Sequence, residues 1–429
     1  MFTLNNLKLF QHQQQALTET EGQNKVAYYL DMGLGKTFVG AEKMISLGSK
    51  LNLVICQKSK VNDWVEHFKR HYNNVSVRNL TNATEMATVP NWNNSACVKI
   101  IGVVNYELSW RRPELLQFQH FTLMLDESSL IQNKKAKQTK FILKMKPDNV
   151  ILLSGTPTSK YENLWTQIHL LGWDISERLY EKQYINTYWM EAGGMKFKQV
   201  DKNNPYKNVD RLKSKLRQYG AVFMKTEEVF DLPEQNFIDV KVEASKEYKK
   251  FMKNSFIEFD DVELVGDTSL TKLLYARQLC SIYSESKLNA FKDLLNSTHD
   301  RLIVFYNFNA ELEALKGVCE ASERPYSLVN GSVKDLSAYE EKIDSVTFIQ
   351  YQAGAMGLNL QKANKIIYYS LPLRSELFEQ SKKRIHRIGQ NQPCFYYSLI
   401  CKGTVEEKIQ RTLKERKDYS DELFKKEFD

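Results

Sequence analysis

The run Leu30-Asp31-Met32-Gly33-Leu34-Gly35-Lys36-Thr37 carries residue types that bind phosphate. It follows an apolar β-type run, Val26–Leu30, and opens a helical pattern, the context that a phosphate loop needs. Gly33 and Gly35, with Leu34 between them, let backbone N–H groups approach phosphate oxygens, and the dipole of the following helix favours the anion. Lys36 would reach the β- and γ-phosphates of a nucleotide, and the Thr37 hydroxyl would ligate Mg²⁺. Leu30 stands where G-x₄-G-K-[ST] has its first glycine, so G-x-G-K-T taken alone also reads as a plain turn.

Phosphate chemistry also needs a carboxylate at the end of a neighbouring strand. Phe121-Thr122-Leu123-Met124-Leu125-Asp126-Glu127 supplies two, Asp126 as the Mg²⁺ partner and Glu127 as the base or water-orienting residue. The competing reading makes Asp126 a helix cap. One strand later, Val150–Ser154 runs into Gly155-Thr156-Pro157, a loop suited to sensing the nucleotide, or an ordinary turn. Near the other end, Arg384 and Arg387 lie three apart, on one face if helical. Guanidinium groups brought to a γ-phosphate from a separate domain would stabilise transition-state charge, whereas in isolation they are a charged helix face. His386 between them reads as a packing or hydrogen-bonding residue.

Two series of short β-type runs would position these groups. The first is Val26–Leu30, Leu51–Cys56, Val98–Val103, Phe121–Leu125 and Val150–Ser154. The second is Arg301–Tyr306, Tyr326–Val329, Val346–Gln352, Lys365–Ser370 and Cys394–Leu399. Helical or polar segments separate the runs, which predicts two tandem parallel α/β units. The second unit has no G-K-[ST] and should not bind a nucleotide in the same way. Between them the pattern turns helical and charged, and Tyr180–Tyr219 interleaves lysines and arginines with aromatics. That fits a nucleic-acid backbone, or equally a solvated helical insert with its own small core. Leu232-Pro233 is the best linker, and the acidic stretch Glu258–Glu263 reads as a solvated loop.

Composition narrows the classes. At 429 residues with 42% hydrophobic and 12% aromatic content, the chain can build more than one core, which excludes a wholly disordered protein. Six cysteines show no C-x₂-C spacing, which speaks against a zinc site or a disulfide framework and fits a reducing cytoplasm. No apolar run is long enough to span a bilayer, and the start lacks signal-peptide features, so a soluble, unexported chain with no membrane partner is expected. Sixty basic against fifty-two acidic residues permit a polyanionic partner without requiring one.

Taken in order, these segments resemble the SNF2 group of superfamily 2 helicase-like ATPases, from about Leu7 to Ile409. Leu7–Gln11 resembles the Q motif, Asp31–Thr37 motif I, Leu53–Ser59 with Trp64 and Phe68 motif Ia, and Val104–Tyr106 motif Ib. Asp126–Asn133 resembles motif II, Ser154–Pro157 motif III and Leu302–Phe308 motif IV. Asn330–Ser332 is similar to the following turn, Ala353–Leu360 to motif V, His386–Gln390 to motif VI and Gly403–Glu407 to the closing segment. Ser128-Ser129 stands where the group often has Ala-His, so Ser129 falls where that group couples motif II to motif III. Lys160 and Asn330 replace a common Asn and Asp.

The resemblance implies an α/β fold of two tandem RecA-like parallel-sheet lobes with helical insertions. The lobes would span residues 1–232, with a basic insertion at about 160–225, and 233–429, with an insertion at about 243–288. It implies ATP and Mg²⁺, with Gln11 reading the adenine and Gly357 and Arg387 adding to the nucleotide site. It also implies a sequence-independent grip on the backbone of double-stranded DNA through Lys58, Ser59, Tyr106, Asn307, Ser332, Ala353 and Gly354. The expected activity is DNA-dependent ATP hydrolysis coupled to translocation along the duplex, in recombination, replication, repair or protein displacement. The expected setting is the cytoplasm of a bacterium or phage-infected cell, in a minimal bacterial or bacteriophage member of the group. No nuclease motif is visible, so cutting would need a separately encoded nuclease or recombination protein. Two other readings stand beside it: a strand-separating or fork-remodelling helicase, with the Gly193-Gly194 turn as its wedge candidate, and a recruitment module with a vestigial ATPase. Lys36, Asp126, Glu127 and Arg387 all being present argues against the last.

Overall fold

A computed structural model of the chain describes residues 8–92, 99–259, 262–354 and 358–424. They form two compact units, one running to Val229 and joined by the chain's end from Asp418, the other Phe230–Lys417.

The first unit is built on strands β1 (Lys25–Leu30), β2 (Leu51–Cys56), β3 (Val75–Asn79), β4 (Lys99–Asn105), β5 (Phe121–Asp126) and β6 (Asn149–Leu153). A hairpin of β7 (Thr187–Ala192) and β8 (Met195–Val200) precedes β9 (Ala221–Met224). Seven of these form one sheet in the order β3-β4-β2-β5-β6-β1-β9, every pair parallel. β2 and β4 are buried at every position, as strands covered on both faces must be. Helices α2 (Lys36–Ser46), over β1, β5 and β6, and α3 (Val61–His71), over β3 and β4, supply part of the sheet's cover, and α1 (Gln11–Glu19) packs on α2. A Cβ at Gly40 of α2 would stand 2.7 Å from Leu153 Cδ1, so glycine is what allows α2 this close to β6.

The second unit has strands β10 (Gln235–Val242), β11 (Phe256–Phe259), β12 (Val262–Val265), β13 (Leu302–Tyr306), β14 (Tyr326–Val329), β15 (Lys334–Asp335), β16 (Val346–Gln350), β17 (Lys365–Tyr368) and β18 (Cys394–Cys401). Its sheet runs β10-β18-β17-β13-β16-β14-β15, parallel except for the short β14–β15 pair. The architecture is therefore two tandem RecA-like parallel-sheet lobes with insertions.

The ten expected strands are all present, and Leu51–Cys56 and Tyr326–Val329 match to the residue. Val98 lies outside the described residues. The unexpected members are mostly edges. β3 is half-buried throughout, and β10 mixes Asn236, Asp239 and Lys241 into a largely exposed strand. Both insertions contain helices, and each also carries a hairpin, β7–β8 or β11–β12. Glu258 and Glu263, expected in a loop, are paired across β11–β12, and Asp260 and Asp261 lie outside the described residues.

Candidate nucleotide site

In the first unit β1 and β5 are parallel members of one sheet, separated only by β6, so their C-terminal ends lie on the same edge. The phosphate-type loop leaves β1 there, and Asp126 is the last residue of β5. Gly33 and Gly35 adopt φ of +93° and +76°, a region that only glycine enters without strain. Gly35 is the N-cap of α2, so the first free N–H groups of that helix open onto the loop. Lys36 Nζ donates to the Leu30 carbonyl at 2.9 Å, laying its ammonium across the loop, and a Cβ at Gly155 would lie 3.1 Å from it. The β1 end and the loop after β6 thus converge on one cation.

Side chains from outside the loop fasten it. Gln13 accepts the Phe10 N–H at 3.0 Å and donates to the Leu34 carbonyl at 3.1 Å. His12 donates from Nε2 to the same carbonyl at 3.0 Å. A Cβ on Gly35 would displace the Gln13 amide that fastens the Leu34 carbonyl, and the φ of +76° would strain any other residue there. Gln11 itself begins α1 and is exposed. From the far end of the unit, the Thr226 hydroxyl donates to Asp31 Oδ2 at 3.0 Å.

Asp126 is held from two sides. Trp64 of α3 donates its indole N–H to Oδ2 at 2.8 Å, and the buried Tyr106 donates its hydroxyl to the Asp126 carbonyl at 2.9 Å. Burial pushes the Asp126 carboxyl above its ordinary pKa, opposed by the Trp64 bond and by the charges of Lys36 and Lys60. Glu127 follows with φ +54°, a left-handed conformation uncommon for a residue with a side chain, and accepts a long bond from the Ser154 hydroxyl at 3.4 Å.

The connection between the Asp126–Ser129 and Ser154–Pro157 segments runs through a residue that the sequence did not single out. Gln167, fully buried, accepts the Ser128 hydroxyl at 2.8 Å and the Tyr29 hydroxyl at 2.9 Å, and donates to the Pro157 carbonyl at 2.8 Å. Ser128, one position before Ser129, makes this link. No motif marks Gln167; it lies on the short helix Trp165–Leu170 beside the polar Thr166 and His169, and that pattern does not single it out.

The oxygen donors fit Mg²⁺, a hard cation that takes hydroxyl and carboxylate ligands. Thr37 occupies the first turn of α2, and the Asp126 carboxyl carries a burial penalty that a divalent cation would relieve.

The expected nucleic-acid residues differ in setting. Lys58 and Ser59 are exposed on the turn after β2, and Ser332 is exposed with its N–H donated to Asn330 Oδ1 at 2.9 Å. Asn307 is tied inward, its amide donating to Ser370 Oγ at 2.8 Å and to the Leu371 carbonyl at 3.1 Å. Ala353 and Gly354 close the helix Tyr351–Gly354, and Gly357 lies outside the described residues.

The helix Ser375–Lys382 ends before Arg384, so both arginines fall in turns rather than on a helix face. Arg384 is buried, and its carbonyl accepts the Leu360 N–H at 3.0 Å. Arg387 is half-buried and donates to Asn359 Oδ1, and burial lowers its pKa from the usual arginine range. His386 is a buried structural residue bonded to the Pro233 carbonyl at 2.9 Å. Gln390 fixes the end of the loop through the Ala363 carbonyl at 2.8 Å.

The SNF2-related domain family matches residues 12–292, and the helicase conserved C-terminal domain family matches residues 286–389. Among curated proteins, an uncharacterized ATP-dependent helicase of Mycoplasma genitalium is 23% identical over 95% of this chain and 41% of its own length. The putative ATP-dependent helicase/translocase YwqA of Bacillus subtilis is 23% identical over 71% of this chain and 36% of its own length. A probable global transactivator of Orgyia pseudotsugata multicapsid polyhedrosis virus is 22% identical, with 93% and 86% covered. This chain thus spans well under half of the two bacterial relatives. A solved SWI2/SNF2 ATPase core from Sulfolobus solfataricus, in complex with double-stranded DNA, aligns with a TM-score of 0.46 at 18% identity. The alignment covers 98% of this chain and 93% of that one.

Proposed function

The chain belongs to the SNF2-related domain family, and on that premise we propose that it hydrolyses ATP and uses the cycle to move along double-stranded DNA. The observation that carries the proposal is the meeting of Lys36, the loop after β6 and the Asp126–Glu127 pair at one edge of one sheet. Glycine-opened N–H groups and Lys36 take the phosphates, and Gln11 takes the adenine. Thr37 and Asp126 hold Mg²⁺, which when bound neutralises charge across the β- and γ-phosphates. Glu127 orients the attacking water. Arg387 stabilises charge at the γ-phosphate, with Arg384 supporting its loop from the buried side, and Gly357 contributes to the same nucleotide site.

Backbone grip on DNA is assigned to the exposed Lys58, Ser59 and Ser332, together with Asn307, Ala353 and Gly354. Tyr106 acts through the Asp126 strand end that it holds. Such contacts are independent of sequence and weaken steeply with salt. The helicase and translocase names of the bacterial relatives support this reading. The placement in a bacterial or phage-infected cytoplasm and the use of a separately encoded nuclease or recombination partner belong to the same proposal.

The test is steady-state ATP hydrolysis at low salt with duplex DNA, single-stranded DNA, RNA or no nucleic acid, beside Lys36→Ala. Stimulation by duplex, abolished in Lys36→Ala, is the expected result. Stimulation by single strands alone would replace the translocase with a helicase. Turnover that survives Lys36→Ala would overturn the site.

A further inference from the structure

The β7–β8 hairpin takes no part in the nucleotide site, yet it is the most exposed concentration of large apolar side chains in the first unit. Trp189 is 66% exposed and Met195 72%, and Tyr188, Met190 and Phe197 are also exposed. Cross-strand pairing sorts them. Met190 pairs with Phe197 and Tyr188 with Gln199 on one face; Trp189 pairs with Lys198 and Glu191 with Lys196 on the other. Lys198 Nζ lies 5.6 Å from the Trp189 ring centre. Gly193 and Gly194, at φ of +60° and +75°, form the two-residue turn that keeps such a hairpin tight.

A groove of about 680 Å³ lies at its base, where Arg178, Lys182, Lys198 and Lys207 outnumber Glu181 and Asp201. From Arg178 to Arg217 the chain carries ten basic against four acidic residues, so six of its eight net positive charges sit in this short stretch. A protein-binding face would not need that surplus. A phosphate backbone would, and exposed rings above it are what unpaired bases stack on. A duplex hides its base faces and offers nothing to the rings.

We propose that the β7–β8 hairpin and the groove at its base bind an unpaired DNA strand, with phosphates along the groove past Lys198 and bases against its cross-strand partner Trp189. The proposal rests on the DNA reading above and specifies the DNA structure engaged: a strand opened beside the duplex on which the motor runs.

The full chain would be titrated, by fluorescence anisotropy, into a 20-nucleotide single strand, a 20-base-pair duplex and a 20-nucleotide RNA, as wild type, Trp189→Ala and Lys196→Glu/Lys198→Glu. The aromatic variant should lose about tenfold or more in single-strand affinity, with duplex affinity within about twofold of wild type. The charge-reversal variant should lose single-strand affinity and flatten its salt dependence. Melting temperature and DNA-free ATP turnover of both variants should match wild type, because these side chains are exposed. Unchanged single-strand affinity, or an equal loss on duplex, overturns the hairpin proposal and leaves duplex-stimulated ATP hydrolysis standing. Tighter binding of RNA than of DNA overturns it in favour of RNA. If light scattering shows a wild-type dimer that the aromatic variant splits without altered nucleic-acid affinity, the face is for self-association and the proposal fails. A wild type that binds no DNA in any form removes both readings together.

Discussion

The indole N–H of Trp64 donates to Asp126 Oδ2 at 2.8 Å, joining helix α3 to the carboxylate that ends β5. The bond takes up one lone pair of that oxygen and turns the carboxylate in a fixed direction, as groups behind metal ligands commonly do. Trp64→Phe keeps the ring and deletes the donor. A charge-assisted hydrogen bond of this kind contributes about 1.5–3 kcal/mol, so kcat for ATP should fall roughly tenfold or more. The Mg²⁺ concentration for half-maximal turnover should rise with it. A loss of kcat at unchanged Mg²⁺ dependence would show that Trp64 serves packing alone.

Much of this site is legible in the amino-acid sequence. Buried parallel strands advertise themselves as apolar runs, and a phosphate loop and a strand-ending acid pair carry chemistry in their own spelling. What holds them in place is not legible there. Trp64 is visible as part of a motif, but its bond to Asp126 joins residues 62 positions apart, and Gln13 meets Leu34 across 21. Gln167 sits in a short helix beside Thr166 and His169, and nothing in that mixed pattern marks one side chain out for three polar partners. The edge strands β3 and β10 escape because half of each faces water, and the Tyr180–Tyr219 hairpin hides in a stretch whose charge reads as helical.

Gln167 and Ser128 invite a double-mutant cycle. Gln167→Leu leaves the Ser128 and Tyr29 hydroxyls and the Pro157 carbonyl without this partner, which should cost about 2–4 kcal/mol. Ser128→Ala should cost about 1 kcal/mol. If the two act through their mutual bond, the double variant will be less destabilised than the sum by about 0.5–1.5 kcal/mol in urea unfolding. ATP turnover of Gln167→Leu should lose its response to duplex DNA more than its DNA-free rate. Strict additivity together with an unchanged DNA response would mean that the bridge transmits nothing.

The second unit holds a buried ion pair, Lys287 Nζ to Glu406 Oε1 at 2.5 Å, with side-chain exposures of 0% and 4%. Glu406 Oε2 also accepts the Cys401 N–H at 2.9 Å, so the Gly403–Glu407 segment fastens the end of β18 to the helix Glu285–Asn296. Lys287→Met strands a carboxylate in the interior and should cost about 3–5 kcal/mol. Lys287→Met/Glu406→Gln removes both charges and keeps an acceptor for Cys401, so it should recover most of the loss. Calorimetry would register the single variant as a fall of about 10 °C. A double variant no more stable than the single one would contradict the pairing argument.

His67 gives the protein a specific sensitivity to acid. Its ring lies between Phe38, at 4.8 Å, and His71, at 4.9 Å, with Trp64, Phe68 and Tyr72 around it, and its buried Nε2 finds no hydrogen-bond acceptor among the described residues. Burial, reinforced by the charge of His71, lowers its pKa from 6.5 to about 4. The unfolded chain therefore takes up the proton first. Stability from a neutral His67 is intact above pH 6.5, falls as the pH drops toward 4, and changes no further below that. At pH 5 the loss should reach about 1–2 kcal/mol. His67→Phe cannot take the proton, whereas the carboxylates that also respond to acid are common to both proteins. The drop in melting temperature between about pH 7.5 and pH 5 should therefore be smaller in the variant, whatever its absolute stability. An identical drop in both would mean that His67 takes its proton equally well in the folded protein.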